Sequence, residues 1–292
     1  MSGEPASVNL TYLGGPEVER LALSDGEILA AVEAALRAQG QGRVVIEPRV
    51  HLVPESSDRG HFNVLRGVVW PLGLAGVKVV GDFVENYRRG LPSEIALLNL
   101  FDPETGMPKA IVDATAITEM RTGAVTTLGA RYLARRESRV LGHIGARGTA
   151  YWNVRLLDSL FHFDEIRVHS RRPESRNAFA ERLSADLGKK VAATADWESC
   201  IRGADIVVEA SRLPAPALIH SVLSIGAGAG RREASTTISA PRMQDSQSAV
   251  AVTFRPRSVA SRSAKPSRLS GRREWTRISS KSNKCASRRT FQ

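Results

Sequence analysis

The sequence predicts an α/β fold in three stretches: an α+β domain over residues 1–130, an incomplete parallel βαβ domain over 131–220, and a disordered basic tail over 221–292. Three observations predict it. Up to about residue 130, apolar runs of strand length are interspersed with helical periods. From Ser138 onward, short strands and helices alternate with brief links, which implies parallel strands joined by right-handed crossovers. After about His220 that pattern stops. Residues 221–292 hold 15 serines, and 15 Lys or Arg against 3 Asp or Glu, a composition that cannot bury much apolar surface.

Residues 8–13 are a short strand candidate. Ser24-Asp25-Gly26-Glu27 is a capping box, and Ile28, Leu29, Val32 and Leu36 follow at helical spacing until Gly40 and Gly42 end the helix. Residues 44–53, 62–70, 74–80 and 95–101 are rich in β-branched and apolar side chains and read as strands. Asp102-Pro103-Glu104-Thr105-Gly106 is a turn. Residues 115–135 read as a long helix capped by Thr115 or Thr118. Residues 139–144 form a strand, and the helix after it turns Val154, Leu156, Leu157, Leu160 and Phe161 inward. Then come strand 165–169, a helix opened by Pro173, strand 191–194, a short helix over 196–201 and an apolar strand over 204–210.

The composition bounds the function class. With 292 residues and 42% hydrophobic content, the chain can support real cores. No apolar run reaches the roughly 18 residues that span a bilayer, and the first residues lack the pattern of a signal peptide. Two cysteines, Cys200 and Cys285, make neither a disulfide framework nor a metal cluster, so a reduced, cytoplasmic protein without metal is expected. The net charge of +11 invites a nucleic-acid reading. Its distribution argues against one, because residues 221–292 carry +12 and the rest carries −1. Aromatic residues in that tail, Phe254, Trp275 and Phe291, form no evident stacking platform.

The strand at 139–144 runs into Gly145-Ala146-Arg147-Gly148-Thr149-Ala150 at the head of a helix. Such a turn lets backbone amides and the positive end of the helix dipole approach a pyrophosphate. Gly145 fits the first position of G-x-G-x-x-A and Ala150 the last. Arg147 stands where the second glycine belongs, and Gly148 is one place late. Arg147 either contacts phosphate or displaces the cofactor. After the next strand come Ser170, Arg171 and Arg172, where an acidic residue would favour NAD. That leans towards NADP, with a solvated basic loop as the alternative.

Three cations of the first 130 residues lie among apolar neighbours: Arg49, Lys78 and Arg121. A buried charge without a partner is expensive, so each needs an anion. Either they converge on one substrate carboxylate, or they serve separate structural ion pairs.

At these residues the chain resembles the ornithine cyclodeaminase/mu-crystallin family. Gly76-Val77-Lys78-Val79-Val80, Gly90-Leu91-Pro92-Ser93, Asp102-Pro103-Glu104-Thr105-Gly106, Thr118-Glu119-Met120-Arg121-Thr122-Gly123-Ala124 and the glycine turn follow its order and spacing over residues 20–218. The resemblance implies a homodimer with an N-terminal substrate domain and a Rossmann domain binding NAD(P). It also implies hydride transfer at the Cα of an amino acid or imine, by deamination, dehydrogenation or imine reduction. By the same resemblance Arg49, Lys78 and Arg121 hold the substrate carboxylate, Lys78 assists proton transfer, and Ser93 lies beside the substrate. Cyclodeaminases proper carry an acidic residue in the strand that here reads Arg59-Gly60-His61-Phe62-Asn63-Val64-Leu65-Arg66; His61, Asn63 and Arg66 are the polar candidates in its place.

The family's later Rossmann strands, its terminal helix and its aspartate near the ammonia-leaving site have no match after about residue 218. An out-of-frame read from there accounts for the abrupt Arg/Ser-rich text, and a genuine basic extension is the alternative. Loss of those strands would leave a sheet edge exposed. Two functional readings stand: an NAD(P)-dependent enzyme on an amino acid or imine, and a non-catalytic relative that binds a small ligand or NADPH.

Overall fold

A computed structural model of the protein describes residues 8–54 and 60–211, and the backbone of 236–239 and 251–254. The first part runs β1 (Thr11–Leu13), α1 (Gly15–Arg20), α2 (Asp25–Gly40), β2 (Val44–Ile46), β3 (Val50–Leu52), β4 (His61–Val69), β5 (Leu74–Asp82), β6 (Glu94–Phe101), β7 (Pro108–Asp113) and α3 (Thr115–Leu133). The second runs β8 (Val140–Ile144), α4 (Ala150–Phe161), β9 (Glu165–His169), α5 (Pro173–Leu187), β10 (Val191–Ala193), α6 (Trp197–Ile201) and β11 (Ile206–Glu209), then β12 (Thr236–Ser239) and β13 (Ala251–Phe254). The chain is α/β, as its sequence predicts.

Local chemistry explains the helix starts. The Ser24 box forms in full: Ser24 N donates to Glu27 Oε2 at 2.9 Å, and Glu27 N to Ser24 Oγ at 3.3 Å. α3 departs from expectation, because its N-cap is Ala114. Asp113 Oδ1 takes the Thr115 amide at 2.9 Å. That frees the Thr115 hydroxyl to accept from Ala96 N at 3.1 Å, tying the helix start to β6. The strand expected over residues 44–53 divides into β2 and β3, both paired with β4. Pro48 lies in the break, and a proline cannot donate to a ladder. Arg49 therefore directly precedes β3 instead of lying inside a strand.

The first sheet has the order β1-β7-β6-β5-β4-β2, with β3 also on β4. Its pairings are antiparallel except β1 with β7. Val80, Ala96 and Ala114 pack under Leu65, Leu98 and Ile117, which seats α3 on one face. The second sheet has the order β10-β9-β8-β11-β13-β12, parallel from β10 to β11. Leu157, Val154, Leu141, Val168, Ile206 and Leu183 are fully buried in its core, each contributing about 1.5–3 kcal/mol.

β13 pairs antiparallel with β11, and β12 with β13. This corrects the expectation of structureless sequence throughout 221–292 and of a bare edge on β11. Thr236-Thr237-Ile238 and Val252-Thr253-Phe254 are rich in strand-favouring residues, and β11 offers unpaired backbone groups that such a segment can satisfy. The rest of the expected tail lies outside the described residues. No helix among the described residues is long and apolar enough to cross a membrane.

α3 meets α4 so closely that a Cβ on Gly123 would lie 2.7 Å from the Trp152 carbonyl carbon and 2.8 Å from its Cβ. Ile28 and Leu29 of α2, Met120, Ala124 and Leu128 of α3, and Leu156 of α4 close around this contact. Arg155 Nε donates to Asp25 Oδ1 at 2.8 Å beside it. In β8, His143 is fully buried, and burial pushes its imidazole down to about 4. Nδ1 lies 3.0 Å from the Gly145 carbonyl, which can only accept, so Nδ1 carries the proton. The ring thus pins the first residue of the glycine turn.

Two outcomes follow for stability. Gly123→Ala gains about 1 kcal/mol of helix propensity but must displace backbone, an overpacking cost of roughly 1–3 kcal/mol. Its melting temperature should fall by up to ~8 °C; a higher value would show that the helices do not need this approach. His143 stays neutral in the folded state while its unfolded counterpart takes up a proton near pH 6.5. Stability is therefore lost as pH falls from 6.5 to 4. Urea midpoints across that window should show the slope in the wild type and a shallower one in His143→Gln.

Candidate functional site

Alternation along the strands sorts the polar residues of the first sheet by face. Register sets Leu65 opposite Lys78 and Leu98 opposite Lys78 on the other side; Asn63, Val80 and Ala96 form the next row, and His61, Asp82 and Glu94 the third. His51 sits opposite Asn63. All of these share the face that α3 covers at Ala96 and Leu98. Arg66 pairs with Val77 on the opposite face, where it reaches Glu47 at 3.9 Å and the Pro48 carbonyl at 3.5 Å. Of the three polar candidates in β4, His61 and Asn63 therefore join the row beside Lys78. Their side chains are 3.2 Å apart, and the His61 ring lies 5.4 Å from that of His51.

Lys78 is half-buried at the centre of this face. Its Nζ donates to Thr118 Oγ1 at 3.2 Å, and the Thr118 hydroxyl in turn donates to the Ala114 carbonyl at 2.7 Å. Burial first, then the nearby Arg121 and Arg49 guanidiniums, push Lys78 down to about 8, against the pull of Glu94. Arg121 is lowered as well, by burial and by Arg49, with Glu94 opposing. Arg121 retains open surface, yet enough protein surrounds it for desolvation to dominate. Both hold for a side chain that is largely surrounded by protein yet still reached by solvent. The structure thus brings Arg49, Lys78 and Arg121 within electrostatic reach of one another. Ser93 directly precedes β6 at the open end of the sheet, where its carbonyl accepts from Phe83 N at 2.8 Å.

Two carboxylates also belong to this cluster. Glu94 shares the face of Lys78 and acts on both Lys78 and Arg121. Glu119 is pushed up to about 7, by burial first and by Glu94 second, with Arg182 opposing. Glu94 alternates with Ala96 and Leu98 on an inward face, and that period was the available sequence signal. Glu119 adjoins Arg121 in the helix motif, but nothing local tells that it is buried.

The C-terminal ends of β8, β9 and β11 lie side by side, with Ile144 opposite both His169 and Glu209. Ligands of open α/β sheets bind outside this end. Gly145 has φ +114°, and a Cβ there would meet the Ala210 carbonyl oxygen at 2.6 Å, so glycine is required. Gly148 has φ +54° and open space on its Cα. Thr149 is the N-cap of α4 but makes no side-chain cap, and the first turn holds no acidic residue. The helix start thus keeps amides available for an anion. Ala146 is half-buried against the core of the sheet. Arg147 projects outward, its Cζ 4.3 Å from the centroid of the Tyr87 ring. These residues fit a pyrophosphate, provided that the Arg147 side chain stays outside the turn.

Beyond β9, Ser170 is half-buried and Arg171 and Arg172 are exposed, with Arg172 Cζ 4.5 Å from the Tyr87 ring centroid. Arg176 instead braces loops, donating to the Ser170 carbonyl at 3.3 Å and the Ala195 carbonyl at 3.2 Å. His143 and Glu209, two buried polar groups at this end, appear in the sequence only as single polar residues within apolar strands. Among the described residues no three His, Cys, Asp or Glu side chains gather as metal ligands would.

Comparison with known proteins places this geometry. The alanine dehydrogenase of Archaeoglobus fulgidus is 38% identical over 164 residues, which cover 56% of this chain and 49% of that protein. Ketimine reductase mu-crystallin of Rattus norvegicus is 27% identical over 218 residues, 74% of this chain and 68% of that one. The solved structure of Thermococcus litoralis Delta(1)-pyrroline-2-carboxylate reductase with NADH and L-proline superposes with a TM-score of 0.66 at 29% identity, covering 69% of this chain and 62% of the other. This chain therefore spans about half to two thirds of the length of such relatives. The profile of the ornithine cyclodeaminase/mu-crystallin family matches residues 13–231, and the chain belongs to that family.

Proposed function

We propose that the chain binds a nicotinamide dinucleotide, NADP in preference to NAD, and transfers a hydride between it and the Cα of a small amino acid or its imine. The observation that carries this reading is the gathering of Arg49, Lys78 and Arg121 beside a helix, α3, that is locked onto the helix bearing the glycine turn. When bound, the cofactor supplies the redox chemistry. Arg49 and Arg121 hold the substrate carboxylate, a task suited to the guanidinium fork. Lys78 completes the charge and, with its pKa near 8, holds or releases a proton at the reacting nitrogen around neutral pH. Ser93 adds a hydroxyl beside the substrate. Gly145, Ala146, Arg147, Gly148 and Thr149 form the phosphate turn, and Ser170, Arg171 and Arg172 read the adenosine ribose.

A second reading, in which the same site binds ligand and NADPH without turnover, is favoured by the 27% identity to ketimine reductase mu-crystallin over 74% of this chain only as far as binding is concerned. The compartment proposed is the reduced cytoplasm, in keeping with the buried free thiol of Cys200.

The assembly proposed is a homodimer formed through the other face of the first sheet. Val45, Val50, Leu52, Ile95 and Leu97 are all more than 40% exposed there, a patch that a lone soluble chain rarely leaves uncovered.

Three measurements test these readings. NADPH oxidation should proceed with a cyclic imine carboxylate or with ammonium plus a 2-oxo acid. Arg121→Met should cut kcat/KM by ~100-fold or more; binding of NADPH with no turnover of any such substrate would select the second reading. In the reductive direction kcat/KM should decline as pH rises through about 8, where Lys78 loses its proton, and Lys78→Met should abolish that limb. Sedimentation should give a dimer that Leu97→Asp converts to monomer; a wild-type monomer at micromolar concentration would rule out the sheet-face interface.

A further inference from the structure

We propose that Tyr87 is a cofactor-positioning residue: its ring, which both Arg147 and Arg172 approach, holds the Arg147 guanidinium outside the glycine turn so that it can receive a phosphate group of the dinucleotide. This rests on the dinucleotide reading above. Tyr87 comes from the 3₁₀ segment Val84–Arg89 after β5, far in sequence from the turn and from the end of β9. Its half-buried ring lies 4.3 Å from Arg147 Cζ and 4.5 Å from Arg172 Cζ.

The arrangement answers the departure at the second glycine position. A side chain there, turned inward, would fill the space over Gly145 and Gly148 that a pyrophosphate needs. The aromatic face offers the guanidinium an alternative seat. A ring does not neutralise two like charges, however. Among the described residues no carboxylate pairs with Arg147 or Arg172, whereas neighbouring Arg88 pairs with Glu85 at 3.0 Å. Two unneutralised guanidiniums, one from the phosphate turn and one from the ribose-reading position, suit a phosphate.

The test is a double-mutant cycle read as dissociation constants by calorimetry, with NADPH, NADH, 2′,5′-ADP and 5′-ADP as ligands. Tyr87→Leu should weaken NADPH ~10-fold, or about 1.4 kcal/mol, while Tyr87→Phe, which keeps the ring but loses the hydroxyl that accepts from Arg88 Nε at 3.4 Å and from Arg172, should weaken it clearly less. In an Arg147→Gly background, Tyr87→Leu should lose most of its effect, because no side chain remains to be held out. Tyr87→Gln, which suits solvent, serves as the second variant if the leucine form folds poorly. A loss shared by 2′,5′-ADP but not 5′-ADP assigns the guanidinium pair to the 2′-phosphate, a loss shared by both assigns it to the adenosine 5′-phosphate, and a loss with 5′-ADP alone assigns it to the second phosphate of the pyrophosphate. Effects of Tyr87 and Arg147 substitutions that simply multiply, or a Tyr87→Phe loss equal to that of Tyr87→Leu, would overturn the proposal while leaving the dinucleotide reading intact. A folded wild type that binds none of the four ligands would end both.

Discussion

The approach of α3 to α4 at Gly123 is the constraint on which the rest of the structure turns. α3 carries Thr118 and Arg121 over the first sheet, and α4 begins at the glycine turn of the second. With a missing Cβ as the only allowance at that crossing, the two helices have little freedom to slide. The geometry between the cations of one sheet and the turn of the other rests on this crossing and on the contacts around it, Arg155 with Asp25 and Tyr87 with Arg147 and Arg172 among them. Gly123 stands two residues from Arg121 in the same motif, so one short sequence sets both a charge and the packing that aims it. α3 is accordingly buried on several sides, with Thr118, Met120, Gly123, Ala124, Thr126, Thr127 and Leu128 all inside, and it lacks the one-sided apolar stripe of a surface helix.

Where local chemistry decided the outcome, the sequence was readable. The Ser24 box, the strand–turn–helix at Gly145 and the alternation that follows it need only neighbours a few residues apart. Three features lay beyond that range. Pro48 divides a strand that looks continuous by apolar content. The face of Arg66 depends on its register with Val77 across β4 and β5, as that of Glu94 depends on its register with Asp82. Tyr87 meets Arg147 and Arg172 only because the two sheets fold together, and nothing around residue 87 announces it. Among the candidate residues, the cations stood out because a charge among apolar neighbours is anomalous anywhere; Glu119 did not, because nothing around it in the sequence tells that it is buried.

β11 shows how a sheet edge recruits what is available. The family's profile ends at residue 231, yet residues beyond it supply β12 and β13, and β13 runs antiparallel to β11. Parallel pairing would need a crossover long enough to return the chain to the same end of the sheet. An antiparallel partner needs only a β-prone segment that reaches the edge, and Val252-Thr253-Phe254 is one.

The cluster at Lys78 also carries a thermodynamic coupling. Without a bound acid, burial and the two guanidiniums hold Lys78 near 8, and Glu94 opposes them. On the proposed reading, a substrate carboxylate entering this site supplies a second opposing charge, which must raise the Lys78 pKa. Binding and protonation are then linked, since the acid favours protonated Lys78 and protonated Lys78 favours the acid. Near pH 8 a fraction of a proton is taken up with each carboxylate. A reaction that reduces an imine consumes a proton along with the hydride. A site that gathers its proton in the act of gripping the substrate is prepared for that demand, and the cations that destabilise the empty site are the means by which it is prepared.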